Sequence, residues 1–247
     1  MRKLHITFSN NEMTKAAILC RDSAIKHGVH HSIMFNEKCY DPIFYSLNKH
    51  ILEQQRGAGY WLWKPYIIYN NLCRLNEGDI LIYTDAGVEI VNNLNHIIDR
   101  MDSDVFLFGN NYRHLDWCKM DVMNAIYPEW GRTFDRESRQ IQASAIFIRN
   151  TEAARLFIGK WLKYCQLDGF IDDSPSLVYN YPSFQEHRHD QAILTCLAYY
   201  HNIKLHYWPA QYNGGQFVYD KHSQFTQDNY PIIFHHHRKR NNEWLQV

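Results

Sequence analysis

Two hydrophobic periods alternate along the chain. Leu4-His5-Ile6-Thr7-Phe8 repeats every second residue and runs into Ser9-Asn10-Asn11, which predicts a strand ending in a polar turn. Residues 12–27 set Ala16, Ala17, Leu19, Cys20 and Ile25 on one face and stop at Gly28, as a helix does. His30 to Phe35 predicts a second strand, and 41–55 a helix broken by Gly57-Ala58-Gly59. Pro65 suits the first turn of the next helix, which is expected to reach about Arg74. After the turn Asn76-Glu77-Gly78-Asp79, the run Ile80-Leu81-Ile82-Tyr83 is apolar throughout, the pattern of a strand covered on both faces. Val105 to Gly109 and Ala143 to Ile148 read as further core strands, 151–165 and 190–200 as helices, and Lys204 to Trp208 as a strand. Segment 110–140 is polar and aromatic and is expected to form loops and short helices over a cleft; 166–188 reads as loop.

Strands alternating with helices predict an α/β sandwich around a mixed, mainly parallel sheet. The length of 247 residues and the lack of a linker or repeat favour one domain over residues 1–247. Lys+Arg and Asp+Glu both number 26, so net charge is zero, which argues against a nucleic-acid coat protein. At 45% hydrophobic and 21% charged residues the composition is globular. No apolar run reaches the ~18 residues of a membrane span. Met1-Arg2-Lys3 opens like a secretory leader, but His5 and Ser9 to Glu12 interrupt any apolar stretch behind it. The six cysteines are scattered without a Cys-x-x-Cys pair, as suits reduced thiols. A cytoplasmic protein is expected.

Four stretches carry candidate chemistry. The strand Ile80 to Tyr83 delivers Thr84-Asp85-Ala86-Gly87 at its carboxyl end, where open α/β sheets bind ligands. Asp85 there suits a hard divalent cation and, through it, a diphosphate; as a bare turn residue it would do neither. His187-Arg188-His189-Asp190-Gln191 precedes an apolar helix, and Asp190 would serve either as its N-cap or in a cleft. His235-His236-His237-Arg238-Lys239-Arg240 offers imidazoles for metal and cations for phosphate, or is a solvated basic tail. Gly57-Ala58-Gly59-Tyr60-Trp61-Leu62-Trp63-Lys64 joins glycines, rings and a lysine, with the tryptophans also suited to the core.

In this order the motifs resemble the GT-A fold glycosyltransferases, the nucleotide-diphospho-sugar transferases. The resemblance is nearest the retaining glycogenin-like and lipopolysaccharide-galactosyltransferase-like branches and the yeast-type mannosyltransferases. It covers most of the chain in element order but only short motifs in residue identity. It implies a Rossmann-like α/β/α sandwich, with the donor nucleotide in residues 1–110 and the acceptor and catalytic groups in 111–247. In those families a strand ends in Asp-x-Asp, which holds Mn2+ or Mg2+ and the donor diphosphate. Asp85 matches the first Asp, and Gly87 stands in place of the second. Thr7, Ser9, Lys64, Tyr83, Thr84, Asp85, Gly87, Arg238 and Lys239 are the implied donor residues, and Asp85, His236 and His237 the implied metal ligands. Asp190 and Gln191 match the Asp-Gln pair beside the anomeric carbon and are the implied catalytic residues. The neighbouring Asn110, Asn111, Tyr112, Arg113, His114, Asp116 and Trp117, together with His189, are the expected acceptor wall. The implied partners are a UDP-sugar, or next a GDP-sugar, and a glycan or lipid-linked glycan in surface polysaccharide or glycoprotein synthesis. A lipid-linked acceptor would bring peripheral contact with the inner face of a membrane.

Two other readings compete. A metal-dependent hydrolase would use Asp85, His187, His189, Asp190 and the His run, although no His-x-His-x-x-Asp-His or His-Glu-x-x-His spacing occurs. A non-catalytic sugar-binding module would use the aromatic surface alone.

Overall fold

The computed structural model describes residues 1–212, 215–218 and 229–244. Its first half holds β1 (Lys3–Phe8), α1 (Thr14–Lys26), β2 (His31–Phe35), α2 (Pro42–Leu52), the distorted turn α3 (Gly57–Tyr60) and α4 (Trp63–Leu72). There follow β3 (Ile80–Thr84), β4 (Val88–Ile90), α5 (Asn95–Ile98) and β5 (Val105–Arg113). The second half holds α6 (Met120–Ile126), α7 (Trp130–Thr133), β6 (Arg139–Arg149), α8 (Glu152–Cys165) and α9 (His189–Tyr200). The short strands β7 (Leu205–His206), β8 (Ala210–Tyr212), β9 (Gly215–Gln216) and β10 (Phe234–His236) complete it.

The central six-stranded sheet runs β2-β1-β3-β6-β5-β7. Strand β6 is antiparallel to β3 and β5, and every other pairing is parallel. The expected α/β sandwich with a mixed, mainly parallel sheet is therefore present. The apolar run of β3 splits by pleat parity. Leu81 and Tyr83 enter one core with Trp63, Ile67, Trp161 and Ile193 of α4, α8 and α9. Ile80 and Ile82 enter the other, with Ala24 of α1, Ile97 of α5 and Phe234 of β10. A strand buried on both faces has no polar side to show, hence its unbroken hydrophobicity.

Three elements differ from expectation. Strand β5 continues to Arg113 and β6 begins at Arg139, with Gly109 opposite Ile141 and Arg113 opposite Arg139 across register shifts. The ends of the 110–140 segment are thus paired strand; the polar side chains there had masked it because they flank a cleft. Strand β4, too short to show a period, joins β10, β8 and β9 in a second sheet. That sheet lays the tail segment 234–238 against Gly87: His237 N and Arg238 N donate to Gly87 O at 3.0 and 3.2 Å. No helix among the described residues is long and apolar enough to cross a membrane.

Candidate functional site

A cleft of about 540 Å3 opens at the carboxyl ends of β1 and β3 and beside β6. Its floor is an ion triad. Lys64, on the first turn of α4, is buried and its Nζ lies 3.2 Å from Asp85 Oδ1 and 3.2 Å from Asp190 Oδ2. The same Nζ donates to Ala143 O of β6 at 3.2 Å. Burial works against the ammonium, but the Asp190 and Asp85 charges outweigh it and hold Lys64 above the ordinary lysine value.

The two carboxylates are driven apart. Burial would raise Asp85, yet Lys64 and the hydroxyl of Tyr83, which donates to Oδ1, hold it below the usual carboxylate range. At Asp190 burial prevails over Lys64, is reinforced by Asp85, and pushes the carboxyl up to about 6. The split follows exposure: the Asp85 side chain is 30% exposed and that of Asp190 only 5%. Asp190 does not cap its helix. Arg188 occupies that place without a side-chain cap, and Asp190 sits in the first turn. The backbone of Asp190 is fixed from behind, where Trp161 Nε1 donates to its carbonyl at 2.9 Å. Asp190 Oδ2 faces Lys64 as an ion pair without hydrogen-bond geometry, so a buried acceptor is left unsaturated. Gln191 lines the cleft, and its amide nitrogen donates to Gln140 Oε1 at 2.6 Å.

One wall is strained backbone. Gly57, Ala58, Gly59, Tyr60 and Trp61 all have positive φ, at 61°, 50°, 95°, 50° and 62°. Tyr60 N donates to Arg56 O at 2.8 Å and Trp61 N to Gly57 O at 3.2 Å, so the segment is one left-handed helical turn. For residues with a Cβ this costs roughly 1–2 kcal/mol each. Gly59 is required, since a Cβ there would lie 2.7 Å from Leu52 Cα. The turn is held by Trp63 Nε1, which donates to Gly57 O at 2.9 Å. The rings of Tyr60 and Trp61 also stack on His189 at 5.2 and 5.1 Å. His189 itself has φ 48° and bonds Ile171 O through Nδ1 at 2.8 Å. The outer rim is ionic. Arg56 pairs with Asp173 and Glu186, and Arg188 pairs with Glu186 while lying 4.3 Å over the Trp117 ring.

Of the residues singled out in the sequence, Lys64, Asp85, Gly87, His189, Asp190, Gln191, His236 and Arg238 line this cleft. Others lie behind it. Thr7, Tyr83 and Thr84 are fully buried and Ser9 nearly so. Tyr83 still acts at the site through its hydroxyl on Asp85, while Thr84 is tied to His5 and Cys20 in the core. Lys239 stands over the Trp244 ring at 5.4 Å, away from the cleft. The acceptor wall changes most. His114 is buried with Cys196, Arg113 is paired with Asp116, and Trp117 only backs Arg188. Of the expected wall, Asn110 and Tyr112 do line the cleft. Residues two apart on β5 share a face, which places Asn110 and Tyr112 together, and the strand ends at Arg113, so His114 and Asp116 do not continue the row. Gln142 and Ser144 of β6 also line it, and their signal was present: polar residues at 140, 142 and 144 alternate with apolar ones just before the core strand.

The expected metal ligands do not gather. Among the described residues, His114, Cys118 and Cys196 form the group of three whose ligand atoms lie within 4.8 Å of one another. It is deep in the core, away from Asp85. His236 is engaged by Arg238, whose Nε donates to His236 Nε2 at 3.3 Å. His237 accepts from Lys239 N at 3.0 Å and packs edge-on to Trp244. Gly87 owes its identity to the tail: a Cβ there would lie 3.0 Å from Arg238 Cα. An aspartate there would require the Arg238 backbone to give way by a few tenths of an ångström.

No protein-family model matches the chain, and no curated protein does. Solved structures do resemble it. The apo form of mouse xyloside xylosyltransferase 1 aligns with TM-score 0.46 and 9% identity, over 96% of this chain and 97% of that one. The galactosyltransferase LgtC, solved with donor and acceptor sugar analogues, aligns with TM-score 0.49 and 13% identity, over 97% and 87%. The apo form of the glycosyltransferase GlyE of Streptococcus pneumoniae aligns with TM-score 0.43 and 11% identity, over 80% of this chain but 43% of that one.

Proposed function

We propose that this chain is a glycosyltransferase acting as one domain on a nucleotide-diphosphate sugar, a UDP-sugar before a GDP-sugar. The acceptor is a hydroxyl of a glycan or lipid-linked glycan, in surface polysaccharide or glycoprotein synthesis. The observation that carries this reading is the Lys64 ammonium held between Asp85 and Asp190 at the floor of an open cleft. A buried ion triad is often no more stable than apolar residues of the same volume, so its presence at the floor of an open cleft supports a role toward a ligand.

The chemistry follows from where charge develops. As the glycosidic bond to phosphate breaks, negative charge grows on the diphosphate and positive charge on the sugar ring. Lys64 and the cleft-lining arginines answer the first; Asp190 and the Gln191 carbonyl answer the second. At neutral pH Asp190, with its carboxyl near 6, is largely ionised. In the retaining course the acceptor hydroxyl attacks on the face the phosphate leaves and gives its proton to the departing phosphate oxygen. An inverting course needs a protein base, for which Asp190 stands first and Glu186 on the rim second. Tyr112, Asn110 and Trp61 form the acceptor side.

Thermal shift with UDP, GDP, CDP and dTDP and with UDP- and GDP-sugars identifies the base, because a ligand that binds only the native state raises its stability. Turnover of the matching sugar donor, read by NMR of the product anomer, then distinguishes retention from inversion. Asp85→Asn is expected to lower kcat by about 100-fold or more while leaving the fold intact. Full activity in that variant overturns the assignment.

A further inference from the structure

We infer that the donor diphosphate is held here without a divalent cation, its charge being met by the Arg238 guanidinium in the place where a second acidic metal ligand would stand. The inference rests on the donor-site reading above and deepens it.

Three observations carry it. The first is steric. A side chain at residue 87 would grow into Arg238, whose Cα, N and Cγ lie 3.0, 3.3 and 3.7 Å from a Cβ built there. The backbone and the stem of Arg238 therefore fill the position from which a second carboxylate would reach into the cleft. The second is the state of the remaining donors. Asp85 Oδ1 already takes the Lys64 ammonium and the Tyr83 hydroxyl. His236 Nε2 accepts from Arg238 Nε, while His236 Nδ1 and His237 Nε2 are buried without a hydrogen-bond partner. Among the described residues Asp85, His236 and His237 belong to no group of three such donors within 4.8 Å of one another, and a divalent cation beside Asp85 would face the Lys64 ammonium. These residues do not fit a divalent metal centre.

The third is the ion-pair pattern of the cleft. Four arginines line it. Arg56 pairs with Asp173, Arg188 with Glu186 and Arg240 with Glu12. Among the described residues no carboxylate pairs with Arg238. It is exposed, and it adopts φ 56°, a conformation that costs a side-chain-bearing residue energy and persists only where the surroundings enforce it. Here Gly87 O enforces it by accepting from Arg238 N at 3.2 Å. The result is a guanidinium on the lining of the cleft, 5.9 Å over the Tyr212 ring, whose Nε is given to His236 and whose η nitrogens make no hydrogen bond or ion pair among the described residues. A guanidinium fork binds two phosphate oxygens at once.

The test is isothermal titration of the full chain with each nucleoside diphosphate, in EDTA and again in manganese. One of UDP, GDP, CDP or dTDP is expected to bind with a Kd that differs by less than about threefold between the two conditions. Arg238→Asn removes the guanidinium and tolerates the left-handed backbone, so its melting temperature should hold. Its affinity in EDTA is expected to fall by about tenfold or more, with no rescue by manganese. Binding that appears only with manganese overturns the inference and leaves the donor site standing. So does unchanged affinity of Arg238→Asn in EDTA. If no nucleoside diphosphate or nucleotide sugar binds in either condition, the donor-site reading itself fails and takes this inference with it.

Discussion

Replacing Lys64 by Met removes one charge and strands two. Each carboxylate contact is 3.2 Å long, and at an effective dielectric of about 20 such a contact has a gross Coulomb energy of about 5 kcal/mol. Desolvation of the buried ammonium offsets several kcal/mol of the pair. What remains after the lysine is gone is the penalty of two carboxylates facing each other without a counter-ion, which for buried pairs amounts to about 3–5 kcal/mol. For a chain of 247 residues each kcal/mol moves Tm by about 2–4 °C, so a fall of about 6–20 °C is expected. Urea unfolding gives the free energy directly, with the midpoint shifting at constant slope. The double variant Lys64→Met/Asp190→Asn neutralises the more buried of the two stranded acids, and it should recover about half of the loss. Two results refute the reasoning. One is a loss below about 1 kcal/mol, the scale of an exposed pair. The other is a double variant no more stable than Lys64→Met alone.

The left-handed turn makes opposite predictions at adjacent residues. Ala58→Gly relieves φ 50° and should stabilise by about 0.5–1 kcal/mol, whereas Gly59→Ala, at φ 95° with Leu52 Cα in the way, should cost more than about 2 kcal/mol; urea midpoints separate the two. His5 is buried between Ser32 and Thr84, and burial holds it down to about 3. The unfolded chain therefore binds a proton there that the native state refuses. Stability is full above about pH 6.5 and falls by about 1.4 kcal/mol per unit as pH drops toward 3. Between pH 6.5 and 5 this amounts to about 2 kcal/mol, and His5→Gln should flatten that slope by one proton in urea titrations at the two pH values. Trp161→Phe leaves the buried Asp190 carbonyl without its donor and should cost about 1–3 kcal/mol, with kcat falling more than KM rises if that bond positions the carboxylate.

Much of this molecule is legible in its local patterns. The apolar run at Ile80 to Tyr83 became a strand because a doubly buried strand demands that pattern; Leu4 to Phe8 is also buried on both faces, and its period of two survives because His5 on the second face is satisfied by Ser32 and Thr84. Asp85 could be singled out because a carboxylate closing such a run emerges at the carboxyl end of the sheet. The ends of segment 110–140 could not be read correctly. Their polar side chains face a cleft rather than solvent or core, and hydrophobicity does not distinguish a cleft from water. For the same reason Gln142 lies outside the strand expected from Ala143 onward, and Ser144 inside it is not singled out. Nor could the sequence tell that Asp190 would meet Lys64 instead of capping its helix, since both roles ask for the same residue at the same helix end. The choice was made by α4 and α9 packing on one face of the sheet, which brings residues far apart in sequence within 3.2 Å. Gly87 is the clearest case. Within its own stretch it stands where a second aspartate is expected; in the folded chain it lies against the tail, where a Cβ would push the Arg238 backbone back by a few tenths of an ångström. Local periodicity follows from the burial of each element on its own. Which side chains meet at the cleft depends on how distant elements close on one another, and no local pattern encodes that closure.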